Sequence, residues 1–149
     1  MKILTLLFTP LFLFAQMLHV GDTLKPLKVN DQFDKEYTLS SQKLWMIAWD
    51  RSTTSLANEY ASSHIGFLDT SKQLVYVDTS QIPSGIYTFF VLSRMQDFKH
   101  PIMQGFDEEY NKKLPYKESH ITILKLDKGK IISIEFVDNM KDLTHLFLK

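Results

Sequence analysis

The chain of 149 residues contains no cysteine. Dithiol exchange and cysteine peroxidase chemistry both begin with a thiolate, so composition alone excludes them. Stabilisation by disulfides is excluded with them, and packing alone must hold the fold. An excess of one charge sign is also missing: Lys+Arg and Asp+Glu are both 17, giving a formal net charge of zero. Neither nucleic acid nor an anionic membrane surface is indicated as a partner. G-x-G-x-x-G, P-loop and G-x-S-x-G motifs are absent, which leaves dinucleotide, nucleotide and serine-hydrolase readings without support. His19, His64, His100, His120 and His145 are dispersed, with no H-x-H, H-x-x-x-H or H-E-x-x-H spacing. No catalytic residue, metal site or cofactor is therefore assigned, although a metal site assembled in three dimensions stays open. Repeats, low-complexity tracts and internal linkers are lacking as well.

What is present begins with an export signal. Met1-Lys2 gives a positive start, Ile3 to Phe14 is almost wholly apolar, and Phe14-Ala15-Gln16 resembles a cleavage site. A retained anchor is the competing reading, but the run falls short of the roughly 20 residues a spanning helix needs. Pro10 also interrupts it. Residues 1–15 are read as a signal peptide and residues 16–149 as one domain, since domains most often run about 100–150 residues. Without a cysteine near the cut there is no lipid attachment point. The expected product has no stable membrane anchor and resides in the periplasm. A hydrophobic fraction of 44%, with 11 Phe and 6 Tyr, is ample for a core.

The segments alternate in type. Leu24 to Asn30 and Glu36 to Leu39 flank the polar cluster Asp31-Gln32-Phe33-Asp34-Lys35 and read as a small β-hairpin. Leu44 to Trp49 is a continuous apolar run of strand length, the signature of burial on both faces. Asp50 to Ser55 reads as a polar loop rich in cap residues, followed by a helix with Leu56 and Tyr60 on one face. Gln73 to Val77 is the next strand. Pro83-Ser84 starts a second helix whose Ile86, Phe89 and Phe90 form a core-facing stripe at i, i+3 and i+4. Pro101 to Phe106 reads as a short strand, and Asp107 to Tyr116 as a polar excursion. Within it Asp107-Glu108-Glu109 lacks the calcium-loop pattern and is read as a solvated acidic turn. His120 to Leu126 and Lys130 to Val137 are strands joined by the tight turn Asp127-Lys128-Gly129. Asp138 or Asn139 caps a final helix, Met140 to Leu148, carrying Leu143, Leu146 and Phe147 on one face. The expected class is α/β, a mixed central sheet with helices against it.

The order of these segments resembles the thioredoxin-like superfamily, in particular peroxiredoxins and periplasmic proteins of the TlpA/ResA kind. Val20-Gly21-Asp22 and Asp31 to Leu39 resemble their opening, except that Asp34 stands where their D-x-x-G-K phrase has its glycine. Leu44 to Trp49 resembles their strand before the active-site loop, and Ile121 to Leu148 their closing strand, hairpin, strand and helix. The resemblance implies a three-layer thioredoxin-like fold with an N-terminal hairpin. It also implies where redox members carry their cysteines: at the start of the helix after the first core strand, here Ser52-Thr53-Thr54-Ser55-Leu56. Their cis-proline precedes the penultimate strand, a position near Ser119-His120 where no proline stands. Both halves of the redox site are missing.

If that fold holds, Asp50, Arg51, Ser52, Thr53 and Thr54 lie at the carboxyl end of a core strand and approach Ser119 and His120. Open α/β sheets usually bind ligands there. The plain structural reading is that the hydroxyls serve as helix caps, Asp50 and Arg51 pair in solvent, and His120 ends a strand. Two function classes follow. One is a non-enzymatic periplasmic binding protein that takes a protein or peptide partner in the former active-site groove. The other is an oxidoreductase-associated protein that holds a small ligand or cofactor in the same groove.

Overall fold

The computed structural model describes residues 16–147. The expected signal peptide, residues 1–15, and Leu148 at the end of the last expected helix lie outside the described residues. Strands β1 (Leu27–Asn30) and β2 (Glu36–Leu39) form the antiparallel hairpin, with Leu27 opposite Leu39. Its turn explains the departure at residue 34. Asp34 has φ 63°, the left-handed conformation that glycine adopts freely and that aspartate tolerates better than most residues. Asp31 holds this turn from the centre, its carboxylate accepting from Phe33 N, Lys35 N and the Tyr37 hydroxyl. That carboxylate and burial together push the Tyr37 hydroxyl up to about 12, desolvation being the larger cause.

Five strands make the main sheet: β3 (Leu44–Ala48), β4 (Gln73–Asp78), β5 (Ile102–Gly105), β6 (Ile121–Asp127) and β7 (Lys130–Val137). Their spatial order is β5-β4-β3-β6-β7, with β3–β4 and β4–β5 parallel and β3–β6 and β6–β7 antiparallel. The parallel pairs require crossover helices. These are α1 (Arg51–Ser62) between β3 and β4, and α2 between β4 and β5, which runs over residues 84–95 with a π-helical turn at Tyr87–Val91. A short helix α3 (Glu108–Asn111) and the terminal helix α4 (Met140–Phe147) complete the fold.

Alternation along the central strands builds two cores. Met46 and Ala48 of β3, with Val75 and Val77 of β4, meet Ala57 and Tyr60 of α1 and Leu143 of α4. Trp45 and Ile47, with Leu74 and Tyr76, point to the opposite face, where Val29, Leu39 and Leu114 cover them. Both faces of β3 are thus sealed, the reason for its unbroken apolar sequence. Trp45 stacks on Tyr76 with centroids 5.7 Å apart. The β6–β7 turn uses Lys128 at φ 50° and Gly129 at φ 83°, two successive positive values of a type I′ hairpin. A β-carbon on Gly129 would also come within 3.0 Å of Ser40 O.

Three sequence readings need correction. Arg51 to Ser55 are not a loop: the helix begins at Arg51, because Asp50 caps it directly after the strand. The acidic Asp107-Glu108-Glu109 segment opens a short helix: Asp107 caps it by accepting from Tyr110 N, and Glu108 and Glu109 form its first turn and pair with Lys112. The largest correction concerns α2, where the helix exists but the stripe faces outward. Ile86, Phe89 and Phe90 are 51%, 75% and 64% exposed, whereas Val91 and Met95 pack on the core beside α1.

Candidate functional site

The face singled out from sequence sits at the end of β3. Ile47 pairs with Thr122, so continuing that antiparallel register places Trp49 opposite His120. The two segments are therefore neighbours at one end of the sheet. Side chains join them: Trp49 Nε1 donates to Thr122 Oγ1 at 3.0 Å, and that hydroxyl donates to Pro115 O at 2.7 Å. Trp49 also meets Tyr116 edge-on, with centroids 5.2 Å apart.

At the centre is a capping box. Asp50 Oδ1 accepts from Thr53 N at 2.8 Å, and Thr53 Oγ1 accepts from Trp49 N at 2.9 Å and Asp50 N at 3.0 Å. The Thr53 hydroxyl donates to Asp50 Oδ1 at 2.9 Å, and the residue is 2% exposed. Its oxygen thus satisfies two backbone donors at the strand-to-helix junction, and its proton is committed to the cap. Arg51 and Ser52 lie exposed on the first turn, and Thr54 is half-buried. Asp50 and Arg51 form no ion pair among the described residues, since the Asp50 carboxylate is engaged by the cap.

Across the register, Ser119 takes φ 61° in the bend before β6. His120 is half-buried, with Nδ1 2.7 Å from Glu118 O and Nε2 3.7 Å from Asp138 Oδ2. The Glu118 carbonyl fixes the proton on Nδ1 and leaves Nε2 facing the Asp138 carboxylate. The structure brings Asp50 and Thr53 into contact, and brings His120 to Asp138. It shows no hydrogen bond or ion pair from Asp50, Arg51, Ser52 or Thr54 to Ser119 or His120 among the described residues; Trp49 and Thr122 make the link instead. Neither Trp49 nor Tyr116 was singled out as a site residue. The available signal was the second tryptophan of the apolar run, Trp49, standing directly before the polar Asp50-Arg51-Ser52 segment.

A separate groove of about 780 Å³ opens beside β5, an edge strand of the sheet, and none of the residues above lines it. It lies between β1, the Asp31–Asp34 turn, α2 and the end of β5, with Tyr87 and Phe106 edge-on at 5.0 Å. The signal for it in sequence was thin: Phe33 and Phe106 stand in polar surroundings, and both are 55% exposed.

A buried histidine belongs to neither place. His100 is 2% exposed, with Nε2 2.8 Å from Asn58 Oδ1 and Nδ1 without a protein partner. Desolvation lowers its pKa to about 4, so the ring is neutral at ordinary pH.

No family model matches the chain, and no curated protein matches it. Solved structures do. A candidate protein disulfide isomerase from Bacteroides thetaiotaomicron superposes with a TM-score of 0.59 at 14% identity, covering 90% of this chain and 89% of its own. A peroxiredoxin-like protein from Aquifex aeolicus gives 0.55 at 14% identity, over 87% and 86% of the two chains. The exposed lipoprotein thioredoxin Etrx1 of Streptococcus pneumoniae gives 0.56 at 15% identity, over 83% and 98%. Identities this low speak to the fold, and the sheet order and N-terminal hairpin agree with it. The chain has a thioredoxin-like fold, carried without a single cysteine.

Proposed function

We propose that this protein is an exported, non-enzymatic thioredoxin-like protein that binds a protein or peptide partner at the N-terminus of α1 and the adjoining end of β6. The carrying observation is the state of Thr53. At the junction where the redox relatives would place a thiol, the hydroxyl is buried and fully engaged in the cap. The neighbouring surface suits recognition. Trp49 and Tyr116 pair beside exposed Arg51 and Ser52, with His120 at the same sheet end. Aromatics and arginine are the residue types that dominate interface energetics. The apolar segment Ile3 to Phe14, read as a signal peptide, supports export to the periplasm.

The test is affinity capture from native periplasm with the wild type and with Arg51→Ala/His120→Ala, followed by mass spectrometry of proteins and small molecules. A defined protein partner lost with the double variant supports the reading. An eluate indistinguishable between the two contradicts it, and a retained small molecule or chromophore favours the ligand-holding alternative.

A further inference from the structure

The groove at the β5 edge has the chemistry of a strand-addition site. Its first feature is backbone parity. Asp31 N donates to Lys35 O, and the β1–β2 register carries that bonded pairing to Val29 opposite Tyr37 and Leu27 opposite Leu39. In an antiparallel ladder the intervening residues turn their N–H and C=O groups to the other side. Lys28 and Asn30 therefore present their backbone to the groove, which they line.

The β5 side shows the fold already using such an edge. Ile102 N donates to Gln32 Oε1 at 2.7 Å, while Gln32 Nε2 donates to His100 O at 2.8 Å. A side-chain amide stands there in the place of a neighbouring strand. This protects one end of an edge that proteins seldom leave open. The edge of β1 has no such cover from Gln32.

Charge and shape then select the occupant. Asp34, Glu36 and Asp107 line the groove against a single cation, Lys28, which is already held by Glu36 at 3.3 Å. Exposed Phe33 and Phe106 supply apolar contact. A strand residue fills about 160 Å³, from the spacings of about 3.3, 4.8 and 10 Å along, between and across sheets. The groove of about 780 Å³ thus matches about five residues. Alternation along a strand sends side chains to opposite faces, so a segment that alternates apolar with basic residues offers the aromatics and the carboxylates separate sets of partners.

We propose that this groove accepts an extended segment of a second protein, about five residues long and alternating apolar with basic side chains, added as a strand to the free edge of β1. The site is separate from the α1 face, and the two readings fail independently.

Fluorescence polarisation with labelled seven-residue peptides tests it: one alternating valine and lysine, one alternating valine and glutamate, and lysine peptides N-methylated at alternate amides in either parity. The lysine peptide is expected to bind at least tenfold more tightly than the glutamate peptide. N-methylation in one parity should abolish binding and in the other weaken it far less. Asn30→Pro removes an outward N–H without removing a β1–β2 bond and should weaken binding at least tenfold, as should Asp34→Asn/Asp107→Asn. Arg51→Ala should leave binding unchanged. Equal affinity for both peptides, indifference to N-methylation in both parities, no binding at about 1 mM peptide, or loss on Arg51→Ala alone overturns the proposal.

Discussion

Replacing Thr53 by valine should cost far more than its modest size change suggests. The side chains are nearly equal in volume, so the substitution removes the hydroxyl and little else. Trp49 N and Asp50 N lose their acceptor, and the Asp50 carboxylate loses a donor. A buried backbone donor left unpaired costs about 1–3 kcal/mol. Thr53 itself is 2% exposed, but Asp50 is exposed and water can reach its amide. The remaining cap bond, Thr53 N to Asp50 Oδ1, is kept. Counting one full penalty at Trp49, a fraction of one at Asp50 and the lost cap contact gives about 3 kcal/mol. For a domain of this size about 4 °C is lost per kcal/mol, so the midpoint should fall by about 12 °C. Urea unfolding followed by the fluorescence of Trp45 and Trp49 measures the free energy, and circular dichroism the midpoint. Thr53→Ser keeps the oxygen and should stay within about 1 kcal/mol of wild type. A valine variant within about 0.5 kcal/mol of wild type, or a serine variant as unstable as valine, would refute the assignment of Thr53 to a structural cap.

Other consequences are measurable on the same purified protein. His100 is neutral in the fold with its pKa near 4, while the unfolded chain protonates it near 6.5. Its contribution is therefore fully present above pH 6.5 and is lost as pH falls toward 4; urea midpoints from pH 7.5 to 4.5 should drop more steeply for wild type than for His100→Gln. Phe89→Ser should change stability by less than about 0.5 kcal/mol because the ring is 75% exposed, whereas Trp45→Ala should cost about 3–5 kcal/mol. Asp34→Gly should be neutral or stabilising by up to about 1 kcal/mol, since φ 63° suits glycine; Asp34→Val should destabilise, both read from the same unfolding curves.

The strands were legible because burial on both faces leaves an unbroken apolar run, and β3 and β4 sit where such runs do. The β6–β7 turn was legible for a different reason: polar Asp127-Lys128 followed by Gly129 interrupts two strand-like runs, and Gly129 takes the positive φ such a turn needs. Helix α2 shows the limit. It carries two candidate stripes, Ile86-Phe89-Phe90 and Tyr87-Val91-Met95, and periodicity does not say which meets the sheet. The π-helical turn at Tyr87–Val91 shifts the phase midway; Val91 and Met95 of the second set pack on the core, and Tyr87 lines the groove. The start of α1 was obscured by its own cap, because Ser and Thr favour loops and helix N-termini alike. The site was legible only as a place. Register brings residues 49 and 120 together, but the sequence does not show that Thr53 is closed in a cap or that Trp49 and Thr122 bridge the two segments.

The proposed function requires the α1 and β6 ends to form one binding surface that works without thiol chemistry. Quantitative capture from native periplasm with wild type, Arg51→Ala/His120→Ala and the control Phe89→Ser tests it most directly. A defined partner should be retained by wild type and by Phe89→Ser and depleted at least tenfold by the double variant, with all three proteins equally folded. The same proteins recovered in equal amounts by all three would contradict it.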